Sequence, residues 1–115
     1  MPIDIREQHL TQALAGAAAL FRSLGDPNRL AILQHLTLGE HRVVDLTAHL
    51  GLAQSTVSQH LACLRDCGLV TTRPQGRAVL YGLASPDVLE VLTAAEQVLT
   101  RTGDAVVLCP VRGTL

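Results

Sequence analysis

Aromatic side chains are almost missing from this 115-residue chain: there is no tryptophan, and Phe21 and Tyr81 together make up 2% of the residues. The core must therefore be aliphatic, and the chain offers no stacking platform of the kind that binds single-stranded nucleic acid. Lysine is absent too, so all nine cations are arginine, and against ten acidic residues they leave a net charge of −1. That falls short of the strongly basic balance usual in a nucleic-acid-binding domain. The apolar run at residues 13–21 is too short to span a bilayer. Residues 1–8 carry no basic leader, and three cysteines cannot complete a disulfide set. Reduced thiols and a cytoplasmic location are expected. There is no C-x-x-C pair, phosphate loop, nucleophile with a nearby base or paired acids, so an enzyme is not expected.

What the chain does have is 48% apolar residues over one domain's length. That suffices for a core, although a second copy would help to bury it. Residues 54–68, QSTVSQHLACLRDCG, organise the rest. At 100° per residue Val57, Leu61 and Leu64 form one apolar stripe, while Ser55, Ser58, Gln59 and Ala62 gather on the opposite side. Cys63 and Cys67 fall on a flank between these faces, and His60 shares it. Charge is also uneven. Between Arg42 and Tyr81 four arginines stand against two aspartates, a local surplus of two in an acidic chain.

In chain order, Leu10, Leu14, Ala17, Ala18 and Phe21 recur at helical spacing over residues 9–24. The small residues of this helix permit close approach and make it a candidate dimer element. Asp26 suits the cap, and Pro27 the first position, of a second helix that turns Leu30, Leu33 and Leu36 inward. A third helix is expected over residues 43–50, ended by Gly51. The four residues 51–54 then lead to the fourth helix, with Ser55 as its expected cap and Gly68 as its stop. Two short amphipathic helices joined by such a turn form a helix-turn-helix, whose second member reads the major groove. Residues 69–73 and 78–83 alternate as strands around a Pro74-Gln75-Gly76 tip, with Val79, Tyr81 and Leu83 on the buried face. This hairpin is a wing, and Arg73 and Arg77 beside its tip are expected to meet DNA phosphates. Ser55, Thr56, Ser58 and Gln59 are expected at base edges or nearby phosphates. Ser85-Pro86-Asp87 opens a last helix, striped by Val88, Leu92, Ala95 and Leu99 and ended by Gly103. The expected division is a winged helix-turn-helix unit over residues 1–103 and an irregular tail over 104–115, ordered when something holds Cys109.

The order of elements, the LGDPNRL segment at residues 24–30, the QSTVSQHL helix start at 54–61 and the GLV exit at 68–70 together resemble the ArsR/SmtB family of metal-responsive repressors. The resemblance covers roughly residues 18–99. It implies a mainly α, α+β winged helix-turn-helix homodimer, joined through its first and last helices, that binds palindromic double-stranded operator DNA and leaves it when metal arrives. Members sense metal at different places. One branch carries cysteines at the start of the third helix, where this chain has Arg42 and Val44. Another, the zinc type, uses Asp and His ligands along the last helix, and residues 87–101 contain no histidine. The cadmium- and lead-sensing branch, with two cysteines in the recognition helix and one in the tail, matches Cys63, Cys67 and Cys109.

The residue chemistry is compatible with that implication. Side chains four apart on a helix lie about 5–6 Å apart at Cβ. Two thiolates can meet one ion from there at roughly 2.3–2.6 Å. A three-sulfur site favours soft cations, so Cd(II) or Pb(II) is the expected effector, with mercury or zinc as further candidates. Three readings compete with it: Cys63 and Cys67 as packing, the same fold sensing arsenite, mercury or thiol oxidation, and a thiol or metal-trafficking protein without DNA. His60 is a fourth ligand, a support to the ligands or a structural group. His35, His41 and His49 show no ligand spacing along the sequence.

Overall fold

A computed structural model describes residues 5–108. Its elements are helices α1 (Ile5–Leu24), α2 (Pro27–Thr37), α3 (Val43–Leu50) and α4 (Gln54–Asp66), strands β1 (Val70–Gln75) and β2 (Ala78–Leu83), and helix α5 (Pro86–Thr102). This is the winged helix-turn-helix that the sequence predicts. The described residues include no helix long and apolar enough to cross a membrane.

The core forms where α2, α3 and α4 bring their aliphatic stripes together. Ile32, Leu33, Leu46, Val57, Leu61 and Leu64 are fully buried, and Leu36, Leu69, Val88 and Leu92 close around them. Burial of a Leu or Ile side chain contributes roughly 1.5–3 kcal/mol, so this aliphatic cluster holds the helix-turn-helix without aromatic help. Capping sets the ends. Asp26 Oδ1 accepts from the backbone N–H of Asn28 and Arg29, at 2.8 and 3.1 Å, and Pro27 occupies the first position of α2. Those bonds, the one from Arg29 foremost, hold the Asp26 carboxyl below its usual range. Gly51 ends α3 at φ 66°. At the end of α4, Gly68 N donates to Arg65 O and Leu69 N to Leu64 O, with φ 76° at Gly68. That is a Schellman closure.

The structure corrects several local expectations. Helix α1 starts at Ile5, four residues before the expected position. Ser55 does not cap α4: Ala53 is the cap residue and makes no side-chain bond, and Ser55 lies one residue inside the helix. Leu52, just before the cap, and Val57 both pack in the core. They occupy the positions of a hydrophobic staple, which fixes the helix start without a polar cap. In the wing, Pro74 pairs with Val79 and Gln75 with Ala78. The turn is therefore Gly76-Arg77, and Pro74 lies inside β1. A two-stranded sheet has only edge strands, so the missing N–H of proline is tolerated there. Val79 is exposed, and the buried position of β2 is Gly82. Of the expected tail, residues 104–108 are described and form no helix or strand; Leu108 is buried in the core and Gln34 Nε2 donates to Val107 O.

Because Leu61 is central and enclosed on every side, Leu61→Ala should destabilise the fold by about 2–5 kcal/mol. Urea unfolding at fixed protein concentration should show a lower midpoint with little change in slope.

Candidate functional site

With Val57, Leu61 and Leu64 buried, the rotation of α4 is fixed, and its remaining faces are assigned. Ser55, Ser58 and Gln59 are exposed and Thr56 is half-buried, so the expected reading face is open. The shoulder bearing Cys63 and Cys67 turns to the end of α1. Cys67 follows the last helical residue, yet its N–H still donates to Cys63 O at 3.1 Å, so the four-residue spacing keeps its helical register. Cys63 is half-buried and Cys67 exposed, and both thiols are free.

The two sulfurs meet at one atom. Ser23 Oγ lies 2.7 Å from Cys67 Sγ and 3.7 Å from Cys63 Sγ. Ser23 is 3% exposed and is the one buried polar residue among those described. Its hydroxyl can donate to one sulfur while accepting from the other. The packing reading of the cysteines is therefore incomplete, since they converge on a polar atom away from the apolar stripe. A cleft of 290 Å³ opens beside Cys67, bordered by Leu20, Ser85, Asp87 and Val91. Ser85 Oγ donates to the Asp87 carboxylate at its edge.

A polar chain runs on from Ser23. Arg29 Nε donates to Ser23 O at 2.6 Å, and its NH2 donates to Arg22 O at 2.9 Å, closing the end of α1. Arg29 NH1 lies 3.5 Å from His60 Nδ1, and His60 Nε2 stands 4.0 Å from Asp26 Oδ1. His60 therefore faces the start of α2, and its contacts are those of a structural group. Sequence reasoning missed Ser23 and Arg29. Only the inward setting of Ser23, on a helix whose other side chains are largely exposed, marks it.

No three His, Cys, Asp or Glu side chains among the described residues are already arranged to hold a metal ion. Cys109 lies outside the described residues. The two thiols nonetheless fit a soft cation, being deprotonatable sulfurs on one shoulder, with Cys67 at the edge of a cleft.

On the far side, Arg77 occupies the wing turn and is exposed. It borders a 450 Å³ cleft shared with Arg42, Val44 and Gln54, so the wing and the starts of α3 and α4 form one concave face. Arg73 is differently placed. Its NH2 and Nε donate to the Glu40 carboxylate at 2.7 and 3.1 Å. These bonds hold Glu40 below, and Arg73 above, their usual ranges. Of the two wing arginines, only Arg77 has its guanidinium uncommitted within the described residues.

The pattern of the family described as "Bacterial regulatory protein, arsR family" matches residues 26–72. The HTH-type transcriptional regulator CmtR of Mycobacterium tuberculosis is 46% identical over 82 residues, 71% of this chain and 70% of that protein. Its NMR structure, described as the cadmium metal-sensor, aligns at a TM-score of 0.62 over 71% of this chain and 85% of that one. The probable mercury resistance operon repressor of Streptomyces lividans is 40% identical over 68% of this chain and 62% of its own length. The homodimeric winged helix-turn-helix DNA-binding domain Mb0332 of Mycobacterium bovis is 28% identical, with a TM-score of 0.75 over 87% of this chain and 90% of that one.

The exposures of the thiols give a kinetic expectation. In a Cys109→Ser background, a disulfide reagent such as DTNB should modify Cys67 first and Cys63 in a slower second phase. Cys67→Ser should abolish the fast phase and keep the slow one.

Proposed function

Since the chain belongs to the arsR family of bacterial regulatory proteins, transcription regulators rather than enzymes, we propose that it is a cytoplasmic, metal-responsive repressor that binds operator DNA as a homodimer and is released by a soft cation such as Cd(II) or Pb(II). The observation that carries this reading is the meeting of the Cys63 and Cys67 sulfurs at Ser23 Oγ, on the helix whose opposite face is free for the major groove. The mercury repressor and the cadmium sensor among the relatives support the soft-metal class.

Cys63, Cys67 and Cys109 would hold the ion as thiolates. When bound, it would supply a charge that keeps three sulfurs together. Leu108, the residue before Cys109, lines a groove with Phe21 and Leu24, the neighbours of Ser23 two before and one after it. That placement supports a tail ligand from the same subunit. To become ligands, the thiols must give up their protons, and Ser23 Oγ is then left able only to donate to them. The contact between α1 and α4 is rewritten, and the angle at which α4 enters the groove changes with it. Dimerisation through α1 and α5 is supported by Leu10, Leu14 and Phe21, which are 60%, 59% and 66% exposed, and by the adjoining apolar groove along Val91, Val98 and Leu99.

On the DNA side, Ser55, Thr56, Ser58 and Gln59 would meet base edges and nearby phosphates, and Arg73 and Arg77 the backbone. Duplex DNA selected by the protein from random sequences provides the probe. In fluorescence anisotropy, saturating Cd(II) or Pb(II) should lower affinity roughly 5- to 150-fold, the usual span of allosteric coupling. The variant carrying Cys63→Ser, Cys67→Ser and Cys109→Ser should bind DNA and ignore the metal. Unchanged affinity of the unmodified chain at saturating metal would refute the coupling.

The wing arginines should separate in the same assay. Arg77→Ala should weaken all sequences alike and flatten the salt dependence by about one unit of slope. Arg73→Ala should do less, because Glu40 already engages that guanidinium.

A further inference from the structure

Three imidazoles that look unrelated in sequence come together where the helix-turn-helix meets the wing. His35 lies in the last turn of α2, His49 in the last turn of α3, and His41 in the loop between them. Their ring centres are 5.1 Å apart for His35 and His49, 5.8 Å for His41 and His49, and 6.2 Å for His35 and His41. Imidazoles sharing one tetrahedral ion have ring centres roughly 5 Å apart, from a metal-nitrogen distance of about 2.0–2.1 Å plus the ring radius. The observed triangle is slightly wider than that.

His41 is held as a ligating histidine is held. Its backbone N–H donates to Tyr81 O at 2.9 Å and its carbonyl accepts from Tyr81 N at 2.8 Å, fixing the loop to β2. Its Nδ1 lies 2.8 Å from Gly39 O and must be the donor there, which leaves the Nε2 lone pair free. The rings of His35 and His49 are stacked, with 15° between their planes, and His41 stands edge-on to both. Stacked rings do not yet aim their nitrogens at one point, in keeping with the absence of a ready three-donor group among the described residues. His49 is exposed, and turning its ring is a side-chain rotation of low cost.

We propose that His35, His41 and His49 form a second metal site, selective for a borderline divalent ion such as Zn(II), Ni(II) or Cu(II) and separate from the thiol site. Nitrogen donors suit these ions, as thiolates suit cadmium and lead. The site lies across α2 from the thiols: Ser23 and Asp26 flank the start of that helix, and His35 stands about 12 Å along it at roughly 1.5 Å per residue. An ion there would join the ends of α2 and α3 to the loop that is bridged to the wing at Tyr81.

The test uses the full chain with Cys63→Ser, Cys67→Ser and Cys109→Ser, so that sulfur cannot contribute and the result does not depend on the proposed sensor. Isothermal titration with Zn(II), Ni(II) or Cu(II), each alone, should give one ion per chain, and the electron paramagnetic spectrum of Cu(II) should show nitrogen ligation. His49→Ala, an exposed change that should leave the circular dichroism intact, should weaken binding tenfold or more, and His41→Ala likewise. His9→Ala and His60→Ala should bind as before. A thiol-free chain that binds none of the three ions would overturn the proposal, as would binding indifferent to His49→Ala or binding lost on changing His9 or His60.

Discussion

Helix α4 can bury only one stripe, and most of what this protein offers a partner follows from that constraint. Val57, Leu61 and Leu64 have no exposed surface, so the helix cannot rotate without exposing aliphatic area or leaving a void beneath it. Leu52 before the helix and the Leu69 to Leu64 closure after it fix the two ends in the same rotational setting. The polar face then has to look outward and the cysteine shoulder has to look at α1. Neither face is specified independently of the core, so the open polar face and the thiol pair share one helix in a fixed relation.

A continuous set of contacts links the thiols to the start of α2. Ser23 Oγ meets the sulfurs, its carbonyl accepts from Arg29, and Arg29 adjoins His60, which lies on α4 one turn before Cys63 and faces the cap of α2. These contacts join the sulfurs, the start of α2 and the middle of α4 in one closed circuit. Solvent-exposed ion pairs contribute little to stability. A half-buried network of backbone carbonyls and one guanidinium is stiffer, because each bond it loses leaves a shielded polar group without a partner.

Much of this was legible in the sequence, and the limits of that reading follow from its logic. Periodicity located α3 to the residue and identified the buried stripe of α4, because both are dictated by apolar spacing. Cap and turn chemistry succeeded at Asp26, Gly51 and Gly68, where a local hydrogen bond or a positive φ decides the outcome. It failed at Ser55, where Leu52 and Val57 set the helix start by packing, and at Pro74, where strand pairing ran on to Gln75. Ser23 was invisible because its significance lies wholly in residues forty and forty-four positions away. The histidines were invisible for the same reason, being joined by the packing of α2 against α3 and by the bridge of His41 to Tyr81. The commitment of Arg73 to Glu40 is likewise a tertiary fact that no sequence spacing contains.

A thiol pair near the start of α2 and an imidazole cluster at its end present donors of different softness. The sulfurs sit on α4 against the end of α1, and the imidazoles surround the loop bridged to the wing at Tyr81, while α2 lies buried between them through Ile32, Leu33 and Leu36. A densely packed rod of that kind moves as a unit, so a displacement at its start is carried to its end. Were both sets to hold ions, any effect of one on the affinity of the other through α2 would by linkage be mutual.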